Sequence, residues 1–181
     1  ALHYAAAGFH LQGGVALGEL LKAAKHEGRE QLKRYVSART EGGATALHLA
    51  AWRAHHGANA ALAVEALMSA GGSPAARDAH GRTPLHLAAM RSSKRLGAER
   101  AETLRTMLTA LTRPAAGRSE AAAKLASMHD DAGWTALHMA CCHGDAGADA
   151  VEVLLRAGAD PFAKTRDGVC PLGLLLALEH Q

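Results

Sequence analysis

His138, Cys141, Cys142 and His143 are the densest group of metal-ligating and nucleophilic side chains in the sequence. His138 precedes the two cysteines by three and four residues, so on a helix an imidazole and a thiol would share a face and could bind zinc. A closed tetrahedral site would still need a donor from elsewhere in the chain. The same thiol beside an imidazole could be a nucleophile, but nothing orders an Asp or Asn beside the pair. A plainer reading competes with both. His138 has counterparts at His48 and His86, and Cys141 stands where those copies carry Ala, so a small buried thiol next to a hydrogen-bonded imidazole is expected. No catalytic residue, metal or other cofactor is therefore assigned. His10, His55 and His56 lack ligand spacing and are expected in solvent. Neither Gly13-Gly14 nor Gly42-Gly43 builds a phosphate loop, and no G-x-S-x-G elbow is present.

The three histidines belong to a recurring stretch. Gly81-Arg82-Thr83-Pro84-Leu85-His86-Leu87-Ala88-Ala89 is its fullest form. Thr45-Ala46-Leu47-His48-Leu49-Ala50-Ala51 and Thr135-Ala136-Leu137-His138-Met139-Ala140 repeat it, and Ala1-Leu2-His3-Tyr4-Ala5-Ala6 is a copy without its threonine. A threonine before a first helical turn can accept from an orphan N–H, and proline next to it has no N–H to lose. Leu85 with Ala88 and Ala89 gives an apolar face small enough for a second helix to approach closely, while His86 can bridge backbone groups of neighbouring turns.

Composition agrees with closely stacked helices. Of the 181 residues 49% are hydrophobic but only 3% aromatic, so the core must be filled by Leu, Ala and Val. A net charge of +3 is too small to imply nucleic acid. Three cysteines, two of them adjacent, make no disulfide framework and point to a reducing compartment, intracellular and cytoplasmic. No apolar run approaches the roughly 18 residues of a membrane span, and no N-terminal signal segment is expected. Because the sequence opens inside a copy of the motif, we expect it to be part of a longer polypeptide.

The stretch resembles the ankyrin repeat, whose period is about 33 residues and whose pattern is T-P-L-H-x-A. The resemblance implies an all-α, right-handed solenoid of helix-turn-helix units joined by hairpin-like loops, here about five units in a single domain. Motif leucines are separated by 45 residues (Leu2 to Leu47), 38 (to Leu85), 52 (to Leu137) and 35 (to Leu172), each longer than the family period, as lengthened surface loops would give. We place the units at about 1–43, 44–81, 82–132, 133–167 and an incomplete 168–181.

Within them, helices are expected over Val15–Lys25, Gln31–Ala38, Ala46–Ala54, Ala60–Ala70, Pro84 to near Arg91, Glu99–Leu111, an inserted helix at 119–128, Thr135–Cys142, and a stretch around Val151–Leu155. Glu41-Gly42-Gly43, Asp78-Ala79-His80-Gly81 and Asp130-Asp131-Ala132-Gly133 are read as turns, and Gly71-Gly72 as a helix cap. In the last unit Cys170 replaces the motif threonine and Gly173 the histidine, a relaxation expected of a terminal unit.

On this family resemblance, Thr45, Leu47, His48, Thr83, Pro84, Leu85, His86, Thr135, Leu137 and His138 are architecture. Loop tips and the exposed side of the first helices would line a concave groove. The tip position holds Ala44, Arg82 and Trp134, and the positions after the alanine pair hold Trp52-Arg53, Met90-Arg91 and Cys142-His143. Trp52, Arg53, Arg82, Met90, Arg91, Trp134 and His143 are accordingly the candidate partner-binding residues, of types enriched at interfaces. The function read from them is a non-catalytic scaffold or adaptor that binds another protein, within a larger protein or assembly. The alternative is a regulatory or substrate-recruiting array of an enzyme whose catalytic domain lies outside these residues. Arg91, Lys94, Arg95, Arg100 and Arg105 are read as a solvated face, because no aromatics are interleaved to stack on bases. Neither nucleic acid nor a membrane is expected as a partner.

Overall fold

The residue that opens each motif also opens a helix. Thr45, Thr83 and Thr135 are extended, with φ from −97° to −88°, and the chain becomes helical at the next residue. The computed structural model describes residues 17–19, 21–23, 28–53, 58–90, 97–112, 120–143 and 147–179. Its helices are α1 (Arg29–Ser37), α2 (Ala46–Trp52), α3 (Ala58–Ser69), α4 (Pro84–Ala89), α5 (Gly97–Thr112), α6 (Glu120–Ala126), α7 (Ala136–Cys141), α8 (Ala148–Arg156) and α9 (Pro171–Glu179). No strand occurs among the described residues. The motif copy at Ala1–Ala6 and the histidines His10, His55 and His56 lie outside them. Of the expected helix Val15–Lys25, the described positions 17–19 and 21–23 are helical, and Leu17 and Leu21 are buried in the core.

The helices form two rows. The short first helices pack in series, α2 on α4, α4 on α7 and α7 on α9, and the second helices α3, α5 and α8 pack in series beside them. Motif leucines Leu47, Leu85 and Leu137 are sealed between the rows, and Ala50, Ala88 and Ala140 let the helices close up. The helix expected at 119–128 is present as α6, shorter at its C-terminal end, and it packs on α5. α1 is its counterpart before the preceding regular unit. Each ends just before a loop, and each abuts a glycine cap of the following second helix. A Cβ built on Gly72 would lie 3.1 Å from Val36 of α1, and one on Gly158 would lie 3.2 Å from Ala123 of α6.

The loops between units are built alike. Thr40, Asp78, Asp130 and Thr165 each donate a backbone N–H to the carbonyl four residues on, at 2.8–2.9 Å. The side-chain oxygen of each accepts the N–H of that same residue, at 2.8–3.2 Å. Consecutive loops are then joined by one backbone hydrogen bond apiece: Ala79 to Gly42 at 3.0 Å, Asp131 to His80 at 3.1 Å and Arg166 to Ala132 at 3.3 Å. The tight turn needs a left-handed residue, and Gly133 (φ +83°) and Gly168 (φ +79°) supply it in the last two loops.

The motif histidine does more than bridge neighbouring turns of its own helix. Backbone N–H groups of Thr45, Thr83 and Thr135 donate to Nδ1 of His48, His86 and His138, each at 3.1 Å. Nδ1 is therefore an acceptor, so the proton sits on Nε2. That Nε2–H crosses to the next unit's loop, reaching the carbonyl of Arg82 at 3.0 Å, of Trp134 at 3.0 Å and of Val169 at 3.1 Å. Burial holds all three rings below the ordinary histidine value of 6.5, although the carbonyl each one faces pulls the other way.

Two predictions follow from this stacking. The unfolded histidines titrate near 6.5 and the native ones below it, so this contribution to stability is complete above 6.5 and declines as pH falls below it. The urea midpoint should be lower at about pH 5.5 than at about pH 7.5, and His86→Ala should cost about 2–3 kcal/mol while flattening that dependence. For the loops, a Cβ on Gly133 would meet the Arg166 backbone nitrogen at 2.8 Å, whereas one on Gly168 has nothing within 4 Å. Gly168→Ala should lose about 1–2 kcal/mol for its backbone conformation alone, and Gly133→Ala more, measured by the same unfolding curves.

Candidate functional site

Several of the candidate residues stand at the C-terminal ends of successive first helices or at the tips of the loops. Trp52 ends α2 and is half-buried, and Arg53 follows it in the turn with its N–H on the Leu49 carbonyl at 3.2 Å. Met90 caps α4, also half-buried, and Cys142 occupies the same place on α7, exposed to solvent. Beneath them Leu49 and Met139, one helical turn back, are only partly buried against the core. Arg91 lies outside the described residues.

Units three and four are tied together at this level. His143 Nε2 donates to the Met90 carbonyl at 2.6 Å, and an Arg82 guanidinium nitrogen lies 3.9 Å from the Met90 sulfur. Arg82, Met90 and His143 therefore form one connected group. Trp134, at the tip of the third loop, packs its ring on His138, with centroids 5.7 Å apart and planes tilted by 48°. Its backbone is fully committed, its N–H to Asp130 at 2.8 Å and its carbonyl to His86.

Arg82 is a structural residue as well as a surface one. Its Nε donates to Asp78 Oδ2 at 2.9 Å, and a second guanidinium nitrogen lies 2.8 Å from the same oxygen. Burial alone would raise the Asp78 carboxyl, but the bonds from the Arg82 side chain and from the backbone N–H groups of Arg82 and His80 outweigh it and hold the group below its usual value. Sequence reasoning missed this pair. The signal was present as an Asp-x-x-Gly-Arg run, in which the turn returns the fifth residue to the first.

The histidine–cysteine group does not assemble into a site. Both ring nitrogens of His138 are engaged, by Thr135 and by Val169, and His143 faces Met90. Cys141 is buried, and that burial, with Cys142 adding to it, pushes its thiol up to about 11, the opposite of an activated nucleophile. Among the described residues no three His, Cys, Asp or Glu side chains are placed to hold a metal ion.

A family model, the ankyrin repeat, matches residues 42–79 and 132–166. Over these two stretches the chain carries ankyrin repeats. The two matches cover α2–α3 and α7–α8, the ankyrin units that α1 and α6 precede, while the unit formed by α4 and α5 is joined to both by the same histidine geometry. No curated protein matches the chain. Ankyrin repeats generally mediate protein–protein interactions, and ankyrin domains are generally non-catalytic. No helix among the described residues is long and apolar enough to cross a membrane.

The Asp78–Arg82 pair separates turn-holding cations from merely exposed ones. Asp78 is sealed at the base of its loop, whereas the Arg77–Asp131 pair, 3.3 Å apart, is open to solvent on both sides. Arg82→Ala should cost about 1–3 kcal/mol by leaving a buried carboxylate without its cation, and Arg77→Ala should stay within about 1 kcal/mol of zero, both read from urea midpoints.

Proposed function

We propose that this ankyrin array is a non-catalytic interaction module, one part of a larger protein or assembly, that binds another protein along the groove between its loop tips and its first helices. The observation that carries this reading is the register. Trp52, Met90 and Cys142 occupy equivalent positions on α2, α4 and α7, which pack in series, so they make one continuous row of large and polarizable side chains. Trp134 stands at the loop tip beside that row, and Arg53 and His143 border it. Aromatic, sulfur-bearing and basic residues at the centre of a rigid surface are the types that carry binding energy. Rigidity helps here, because a scaffold latched by His48, His86 and His138 loses little entropy on association. The three cysteines are free, which suits a module working in the reducing interior of the cell, in the cytoplasm.

The test uses the purified chain as bait, with bound proteins cross-linked and identified by mass spectrometry. Trp52→Ala with Met90→Ala and Trp134→Ala should reduce recovery of a specific partner by tenfold or more without changing helicity. Leu62→Ala, on the exposed side of α3, should leave recovery unchanged. Recovery that survives the triple substitution would contradict the groove assignment.

A further inference from the structure

With His138 bonded at both nitrogens and Cys141 buried, Cys142 and His143 remain, and two thioethers accompany them where units three and four join. On α7, Met139, Cys142 and His143 stand at i, i+3 and i+4, the spacing that puts side chains on one helix face. Cys142 still has helical dihedrals, and the His143 N–H reaches back to the Ala140 carbonyl at 3.2 Å, so the turn carries through both residues. Met90 holds the place of Cys142 on α4, which packs on α7, and its carbonyl takes the His143 Nε2–H at 2.6 Å.

That bond decides the state of the ring. Nε2 donates, so Nδ1 carries a lone pair, and no hydrogen bond fills it among the described residues. The latch histidines differ, since a backbone N–H occupies Nδ1 in each. An imidazole with one nitrogen fixed on a backbone carbonyl and the other open is the arrangement of a metal-ligating histidine. The sulfurs are uncommitted too. Cys142 is free and exposed, and Met139 is only partly buried. Met90 Sδ has an Arg82 guanidinium nitrogen at 3.9 Å, a contact that a weakly accepting thioether gives up at little cost. The repeat does not require this set. In the two preceding units the equivalent positions hold Leu49, Trp52 and Arg53, and Leu87, Met90 and Arg91.

The donors select the ion. Thiolate and thioether sulfur favour monovalent copper, and imidazole accepts it as well. Zinc is poorly served, because no three His, Cys, Asp or Glu side chains among the described residues are placed to hold a metal. Charge agrees with this. Cys142 supplies one negative charge, no carboxylate among the described residues is bonded to any of the four, and Arg82 stands beside Met90. A single positive charge is thereby neutralised, whereas a divalent ion would leave an excess next to a guanidinium.

We propose that Met90, Met139, Cys142 and His143 Nδ1 form a binding site for Cu(I) across the junction of units three and four. No electron is transferred: copper enters and stays as Cu(I), the Cys142 thiol gives its proton to solvent, and the thioethers and Nδ1 each supply a lone pair. Partial burial holds that thiol above its ordinary value, so affinity rises with pH. The site needs no partner in the groove.

The test titrates Cu(I) alone into the intact protein without oxygen, against a chromophoric Cu(I) chelator. One equivalent should bind, with a thiolate-to-copper absorption band. Cys142→Ser should weaken binding about a hundredfold or more, and Met90→Leu with Met139→Leu about tenfold or more. The double variant should keep the wild-type circular dichroism, because leucine and methionine exchange with little change in volume. Cys170→Ser should change nothing, and nitrogen spectra should show His143 Nδ1 shifting while Nε2 keeps its proton. Failure to compete with the chelator, or binding lost in Cys170→Ser, would overturn the proposal. Binding that survives either the Cys142 or the double methionine substitution would mark an adventitious thiol complex only and overturn it equally, as would displacement by one equivalent of Zn(II).

Discussion

An imidazole proton shared between units is the interaction on which the rest of the array depends. His48, His86 and His138 are each fixed as the Nε2–H tautomer by a backbone N–H at Nδ1, and each spends that proton on a carbonyl of the following loop. Every unit of a solenoid touches only its neighbours, so its order is set by such nearest-neighbour terms and by no distant contact. The latch joins two nearly fixed points, the first helical turn of one unit and the loop tip of the next. Chain length between those points is free to vary, which is why motif spacings of 38, 52 and 35 residues coexist in one regular stack.

That division of labour decides where function can reside. Residues between the threonine and the second alanine, apart from the partly buried Leu49 and Met139, are buried or spent on the latch, so change there costs stability first. Residues just beyond the alanine pair recur at equivalent positions on successive first helices, where Trp52 and Met90 are half-buried and Cys142 is exposed, and Trp134 is half-buried at a loop tip. Arg82 belongs to both groups. It lies on the tip row, yet its guanidinium closes on Asp78, so its loss would alter the loop before it altered any contact. His143 is similar, since its ring is engaged by the Met90 carbonyl.

Much of this was legible in the sequence because the ankyrin motif couples local propensity to packing. Thr83-Pro84-Leu85-His86 predicts a helix start, and α4 begins at Pro84. The inserted helix before the fourth unit was visible in Glu120 to Met128, and it forms as far as Ala126. Other features were not legible. The latch joins residues 34, 48 and 31 apart, and its geometry depends on stacking that no local pattern encodes. The kinship of α1 with α6 was hidden because their sequences share little beyond small and apolar residues, and their common role is to fit beneath a glycine cap. The histidine–cysteine cluster was read as a small buried thiol beside a hydrogen-bonded imidazole, and Cys141 is buried with His138 bonded at both nitrogens, though spacing alone did not say to which partners.

The most direct test of this account is the protonation of the three rings. Long-range nitrogen–proton correlation spectra of the folded protein at about pH 7 report which imidazole nitrogen carries the proton. His48, His86 and His138 should each appear as a single neutral Nε2–H tautomer, with slowly exchanging Nε2 protons. Nδ1–H tautomers, or rings averaging between the two forms as exposed histidines do, would contradict the latch.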